Sequence, residues 1–586
     1  MKKIILATVV LLSLLLASCG TNLQAHKDSE YYPLIEKIDE YRAEQEKLDR
    51  RDNFRYFFLN IFGGVKYGTA PEFGTDSAMG GAMENGGYIE VTDNQVAGVV
   101  ESDVFKMTDK YIFRLGGNVL RVYSVDKENS SEVGGFEIPQ FEDDRYGSYY
   151  YGLEMYLSED CNTITLVGEY ITTDLSSSAK VGIISIDVSD VTKIKERSRV
   201  SVDGSINTTR MVDGKLIIVS DFCFNRKDMN YSNPGTFVPS INYGNGDQCI
   251  EFDDIVYPES INSTFYSVVT LIDSENLEIL GAKALLNFTS DVYISQNNIY
   301  ITREYTKNNE NIQTSMTDIA VMNYSTENLS EAQIVSIPGW AEDQYSFDER
   351  DGYLRVVTST SETITSDNGW TSSALLKRNA GLYIIDLKTN EVAYKVENFA
   401  PDGEQATAVR FDGDKCYVCT AVVVSFTDPV FFFDLSDYEN ISYTDTGIIE
   451  GYSDHLINYG DGKLLGIGRE NWEYSKVEIY EETQNGVESI FELKFYGNYS
   501  LDYKAYMVNR EEGLFGFGVD YFYIDEQDSY NRKYSNCYIL VSIAGDDIEY
   551  QIIKNDHLYA DQTRAVYIDG YLYITTEHEL FVEKIK

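Results

Sequence analysis

Ala406–Asp437 reads ATAVRFDGDKCYVCTAVVVSFTDPVFFFDLSD. Ala408 and Arg410 alternate with Val409 and Phe411 up to the pair Asp412-Gly413, and the runs CYVCTAVVV and VFFFDL follow. Short runs rich in Val, Tyr, Phe and Thr, broken by Asp-Gly, read as antiparallel strands joined by tight turns, because such turns need residues that tolerate positive φ. The stretch is therefore three short strands.

The same hairpin recurs along the chain. Its copies start at Val104, Leu153, Asn207, Ser290, Gln344, Ala406, Ser453, Tyr503 and Thr563, which makes nine units. Most lie roughly fifty residues apart, and the longest interval, between the third and fourth, holds a polar insertion flanked by Cys223 and Cys249. A sheet of three or four strands cannot bury both faces alone, so copies at this period predict an all-β chain folded as a β-propeller, with about eight to nine blades. Two stacked sandwiches would also be all-β but give no reason for a repeated hairpin. The last unit stops at Lys586 after its third strand, and GGYIEVTDNQV, residues 86–96, is the expected donor of the missing outer strand.

Composition agrees with a large folded body. Of 586 residues 43% are hydrophobic, with 47 Tyr and 28 Phe, while only 9 Pro argue against a disordered stalk. A formal charge of −47 would repel a phosphate backbone, so nucleic acid is excluded as an expected partner.

The N-terminus sets the compartment. Lys2 and Lys3 precede an apolar run from Ile4 to Leu16, then Ala17 and Ser18, a signal peptide over residues 1–18. Leu16-Ala17-Ser18-Cys19 resembles the bacterial lipobox, and the resemblance implies cleavage before Cys19 and acylation of its sulfur. The expected location is the cell envelope, on the extracytoplasmic face, with the lipid as the membrane contact. Residues 19–87 read as tether, helix and Gly-rich linker, with Leu34, Ile38, Tyr41 and Leu48 along one side of the helix, and the propeller is expected over 88–586.

Export permits disulfides, and Cys223 with Cys249 is the candidate pair. Cys416 and Cys419 are spaced as CxxC but lie on a predicted strand, where residues three apart point to opposite faces, which argues against a redox or zinc role. His26, His455, His557 and His578 lack ligand spacing, and the Asp-Gly turns lack the D-x-D-x-D-G pattern of calcium loops, so no metal or other cofactor is expected.

The chain also resembles a known family, the secreted β-propeller domain proteins of bacteria and archaea. The resemblance covers nearly all of residues 88–586 and rests on GVVESDVFKMTDKYIF, SINTTRMVDGKLIIVS, IPGWAEDQYSFDERDGYLRVVTSTS, NFAPDGEQATAVRFDGDKCYVCTAVVVSFTDPVFFFDLSD and GYSDHLINYGDGKLLGIGRE. It implies fold and export, and it implies no catalytic set.

No nucleophile elbow, H-E-x-x-H or phosphate loop is present. Propeller sites are instead built from single residues on the innermost strands, which face a shared channel. Arg210, Asp348, Arg410, His455, Lys504 and Arg564 fall at or near those strands, with Asp454 beside His455. Two readings follow: the cations hold an anionic ligand, or they pair with channel carboxylates such as Asp348 and Asp454 and plug the hole. In function, the first expectation is a noncatalytic surface lipoprotein that binds a protein, peptide or glycan across one face of the ring. The alternative is an extracellular polysaccharide hydrolase or lyase using Asp348 or Asp454 as acid and base beside His455.

Overall fold

The computed structural model describes residues 26–45, 88–90, 94–140, 151–171 and 179–585, the last with gaps at 226–227, 244–245, 289, 325–327, 368–370, 422–429, 446–451, 461, 471–473, 484–485, 524–533 and 546. The signal peptide, Cys19, Leu48 and the Gly-rich linker lie outside the described residues.

All nine expected hairpins are antiparallel strand pairs. In the reference stretch, Gln405–Asp412 pairs with Lys415–Ala421 and Asp412 faces Lys415 across the turn. At Asp213-Gly214, Asp351-Gly352 and Asp569-Gly570 both turn residues have positive φ, which is the type I′ geometry that Asp-Gly favours. Pleating also separates the two strand cysteines. Cys416 packs with Val418 and Phe433 on one face, and Cys419 with Tyr417 and Val430 on the other.

The strands of the described residues gather into five broad sheets of five to eight strands and two small ones of four and three, which corrects the expectation of eight or nine separate blades. Long hairpins cause the merging. Asn298–Asn309 and Ile312–Asn323 have 12 residues each, Tyr353–Asp367 has 15 and Thr371–Asp386 has 16. They outreach a blade, and Ile312–Thr314 pairs with Glu362–Ile364, so the fourth and fifth units share one sheet. In the same way Gly486–Tyr499 reaches Leu514–Tyr523 and joins the seventh unit to the eighth.

Among the described residues the ring closes without the expected strand donation. Tyr88–Ile89 pairs with Phe105–Thr108 in the first unit, and Leu580–Lys584 is left as an edge strand bearing Glu583 and Lys584. Closure is by packing instead: Phe105, Met107, Ile112 and Tyr123 of the first unit share one apolar cluster with Val566, Tyr571 and Tyr573 of the ninth. Arg121 Nη1 adds a hydrogen bond to the Glu577 carbonyl at 3.0 Å. A face-to-face apolar contact hides the same surface that strand exchange would, and the charged edge resists pairing with another chain.

The predicted helix is present over residues 32–45. Leu34, Ile35 and Ile38 are buried in a cluster with Phe237, Val238 and Ile241, with Tyr41 packed against it, so the apolar stripe docks on the insertion after the third unit. Tyr231 donates to Asp39 Oδ1 at 2.7 Å and Tyr31 to the Ile250 carbonyl at 2.9 Å. That insertion is not stapled as expected, because Cys223 and Cys249 are free thiols. Cys249 lies in a short strand paired with Ser240, while the Cys223 sulfur sits 3.6 Å from Thr264 Oγ1. Strand pairing and the helix-covered cluster hold the insertion in place of a disulfide.

Candidate ligand-binding site at the ring centre

Between the first two strands of the first sheet's sequence, residues 94–103 leave that sheet and touch six units, the fourth through Gln296 Nε2, which donates to the Ala97 carbonyl at 2.7 Å. Gln95 Nε2 donates to the carbonyls of Gln344 and Phe347 in the fifth unit, at 2.8 and 3.2 Å. Glu101 pairs with Arg210 in the third, Asp103 bridges Met155 in the second, and Asp103 accepts from Arg564 in the ninth at 3.0 Å. The Tyr503 hydroxyl of the eighth unit donates to Glu101. A segment that reaches six units at once lies on the axis of the ring.

This segment gathers the cations named from the sequence. Arg210 pairs with Glu101 at 3.1 Å and donates to Gln344 Oε1 at 2.6 Å; Arg564 also donates to Asp502; Lys504 pairs with Glu154 at 2.8 Å. Arg410 joins through stacking, its guanidinium 5.4 Å from the ring centre of Tyr345, which meets Tyr503 edge to face. The carboxylates at the centre are thus Glu101, Asp103, Glu154 and Asp502. Burial alone would raise Asp502, yet Arg564 and Lys504 outweigh it and hold the carboxyl below its ordinary value. These four acids were missed in the sequence because each reads as an ordinary loop or strand residue; for Glu101 and Asp103 the available signal was their place in ESDVF, within a stretch that carries the family resemblance, whereas Glu154 and Asp502 lie outside those stretches.

Asp348 and Asp454 go elsewhere. Asp348 accepts from Arg355 Nε at 2.9 Å, and Arg355 donates onward to the Gly413 carbonyl at 2.8 Å, so this pair ties the fifth unit to the sixth. Asp454 accepts from Tyr499. His455 is fully buried, with its ring edge-on to Tyr506 at 5.6 Å and neither nitrogen in a hydrogen bond among the described residues. Burial drives its pKa down to about 3, so it is a neutral imidazole at neutral pH.

Beside the axial network opens a cavity of about 930 Å³, bounded by Glu154, Glu169, Asn207, Glu342, Leu501 and Lys504. Neither Asp348, Asp454 nor His455 lines it. A second cavity of about 540 Å³ is lined by Arg303, Glu304, Tyr305 and Trp340. Trp340 stands between the two, since its indole Nε1 donates to Glu342 Oε1 at 3.2 Å. Among the described residues no group of three His, Cys, Asp or Glu side chains is placed to hold a metal ion. No helix among them is long and apolar enough to cross a membrane.

A ring of repeated antiparallel hairpins around a side-chain-filled axis is the architecture of a propeller that presents a site at its channel mouth. The family model of the beta propeller domain matches residues 90–586, and the chain belongs to that family. A protein of Archaeoglobus fulgidus is 30% identical over 250 residues, which is 42% of this chain and 34% of the relative. One of Methanocaldococcus jannaschii is 25% identical over 250 residues, 42% and 35% of the two lengths. Both bear the name uncharacterized protein, and the match spans about a third of either relative. Among solved structures, a eukaryotic initiation factor is similar over 77% of this chain and 97% of its own, at 11% identity and TM-score 0.32. An acylaminoacyl peptidase of Pyrococcus horikoshii covers 73% and 58%, at 10% identity and TM-score 0.29. These last two likenesses are too remote to carry an argument about this chain.

Proposed function

We propose that this protein is a noncatalytic surface lipoprotein, anchored through Cys19, whose propeller holds a protein or peptide partner in the cavity at the channel mouth. The observation that carries this reading is the 930 Å³ cavity, set against an axial network in which the ionised groups hold one another. Charges saturated in that way make a rigid floor and leave the walls to recognise a ligand. The polysaccharide-cleaving alternative finds no support in the geometry: its Asp348 is committed to Arg355, its Asp454 to Tyr499, and its His455 is enclosed. Fold by itself assigns no function, so the reading rests on the site.

The soluble domain, residues 26–586, is expected to capture a saturable partner from an extract of the host's own surface. Leu501→Trp, which places an indole at the cavity wall where Leu501 is 45% exposed, is expected to abolish capture without changing thermal stability. Capture that survives Leu501→Trp unchanged would move the site elsewhere.

A further inference from the structure

Glu342 differs from the other acids around the cavity. Three donors converge on one of its oxygens: Ser359 Oγ at 3.0 Å, Trp340 Nε1 at 3.2 Å and Gln405 Nε2 at 3.4 Å, all to Oε1. Oε2 accepts no hydrogen bond from the described residues, and the residue lines the 930 Å³ cavity. One oxygen therefore fixes the direction of the side chain, while the other is left without a hydrogen bond from the described residues on a residue of the cavity wall. The charged groups facing it are Glu304 on Asn298–Asn309 and Arg378 on Thr371–Asp386. Burial, then Glu304, push the carboxyl up to about 7 against the pull of Ser359, Trp340 and Arg378. The two cations on the cavity wall are already engaged, Arg210 with Glu101 and Lys504 with Glu154.

We infer that the cavity takes a cationic nitrogen of its ligand, the ammonium of a lysine side chain on a peptide partner, and that Glu342 is the residue that pairs with it. This inference rests on the proposed binding role and gives it a chemical class. A carboxylate with one oxygen held and the other unpaired forms a charge-assisted bond to an incoming ammonium at little cost in side-chain freedom, since the rotamer is already fixed. Leu501, on the wall of the same cavity, offers apolar surface to the methylene stem of a lysine. The pairing needs Glu342 ionised, while a lysine ammonium with an ordinary pKa of about 10.4 keeps its charge throughout. Affinity therefore rises as pH increases through about 7.

The test uses the soluble domain and a terminally blocked fluorescent pentapeptide with one central lysine, against the same peptide acetylated on Nζ, with cadaverine as a free-amine arm. The lysine peptide is expected to bind at least about tenfold more tightly than the acetylated one, with the preference lost in Glu342→Gln and the pH dependence flattened in that variant. Cadaverine competing as well as the peptide would support the same ammonium pairing and assign it to a small amine. Equal binding of the acetylated peptide, or an unchanged preference in Glu342→Gln, overturns the inference, and the comparison of peptides on the wild-type protein stands even if the variant fails to fold. Absence of all amine binding while partner capture remains sensitive to Leu501→Trp overturns this inference alone and leaves the binding role intact.

Discussion

Arg564 and Asp103 lie 461 residues apart in sequence and 3.0 Å apart in space, both buried, and they join the last repeat unit to the segment that precedes the first. Arg564→Ala would leave Asp103 buried without its cation and would release Asp502. Removing one partner of a buried pair costs about 3 to 5 kcal/mol, so a large fall in melting temperature is expected. Arg564→Lys should recover only part of it, because one ammonium cannot reproduce the fork that reaches Asp103 and Asp502 together. Thermal unfolding followed by circular dichroism reads both variants, and a melting temperature unchanged in Arg564→Ala would mean the pair does not hold the last unit to the axial segment.

His455 makes the fold acid-sensitive. Its pKa is about 3 in the folded protein against an ordinary 6.5, so the unfolded chain binds the proton more readily and stability falls as pH drops from 6.5 toward 3. The loss is on the order of 4 kcal/mol across that window. Neither ring nitrogen has a partner among the described residues, so His455→Phe, which keeps a flat ring against Tyr506, is expected to be neutral or stabilising near neutral pH and to flatten this part of the acid limb. Urea titrations across the pH range would expose the opposite behaviour as an equal acid slope in both proteins.

The docked helix gives a local prediction. Leu34 is fully buried against the insertion after the third unit, so Leu34→Ala is expected to cost about 2 to 5 kcal/mol of docking free energy. Hydrogen exchange should then accelerate in residues 32–45 and around Tyr231, while the strands of the seventh and eighth units keep their protection. Uniform loss of protection across all units would show instead that the helix is part of the global folding unit.

The anchor is tested separately from the fold. Cys19→Ala is expected to abolish fatty-acid labelling and leave either uncleaved precursor or released protein. Persistent labelling in that variant would contradict the lipobox reading.

The nine hairpins were legible because Asp-Gly turns and alternating apolar residues are local signals, and each hairpin stands where its residues placed it. What the hairpins do to one another was not. The merging of units depends on how far Asn298–Asn309 and Tyr353–Asp367 overreach a blade, and on Ile312 meeting Ile364, which is a matter of register across long hairpins. Closure went to apolar faces rather than to an exchanged strand because Phe105 and Tyr573 already hide the junction. At the centre, Arg210 and Arg564 were found from their place on innermost strands, whereas Glu101 and Asp103 were not, since a segment threading the axis has no periodic signature. Glu342 lay inside a stretch quoted for its family resemblance, yet its role depends on three donors from Trp340, Ser359 and Gln405, which only tertiary structure assembles.

In the proposed binding role the partner sits in the channel-mouth cavity. A photo-crosslinking residue placed at position 501, on the cavity wall, and in a second protein at position 375, where Leu375 is 52% exposed on a long hairpin, measures this directly. Crosslinking to the captured partner from position 501 and not from position 375 is the predicted result. Crosslinking from position 375 with none from position 501 would contradict it.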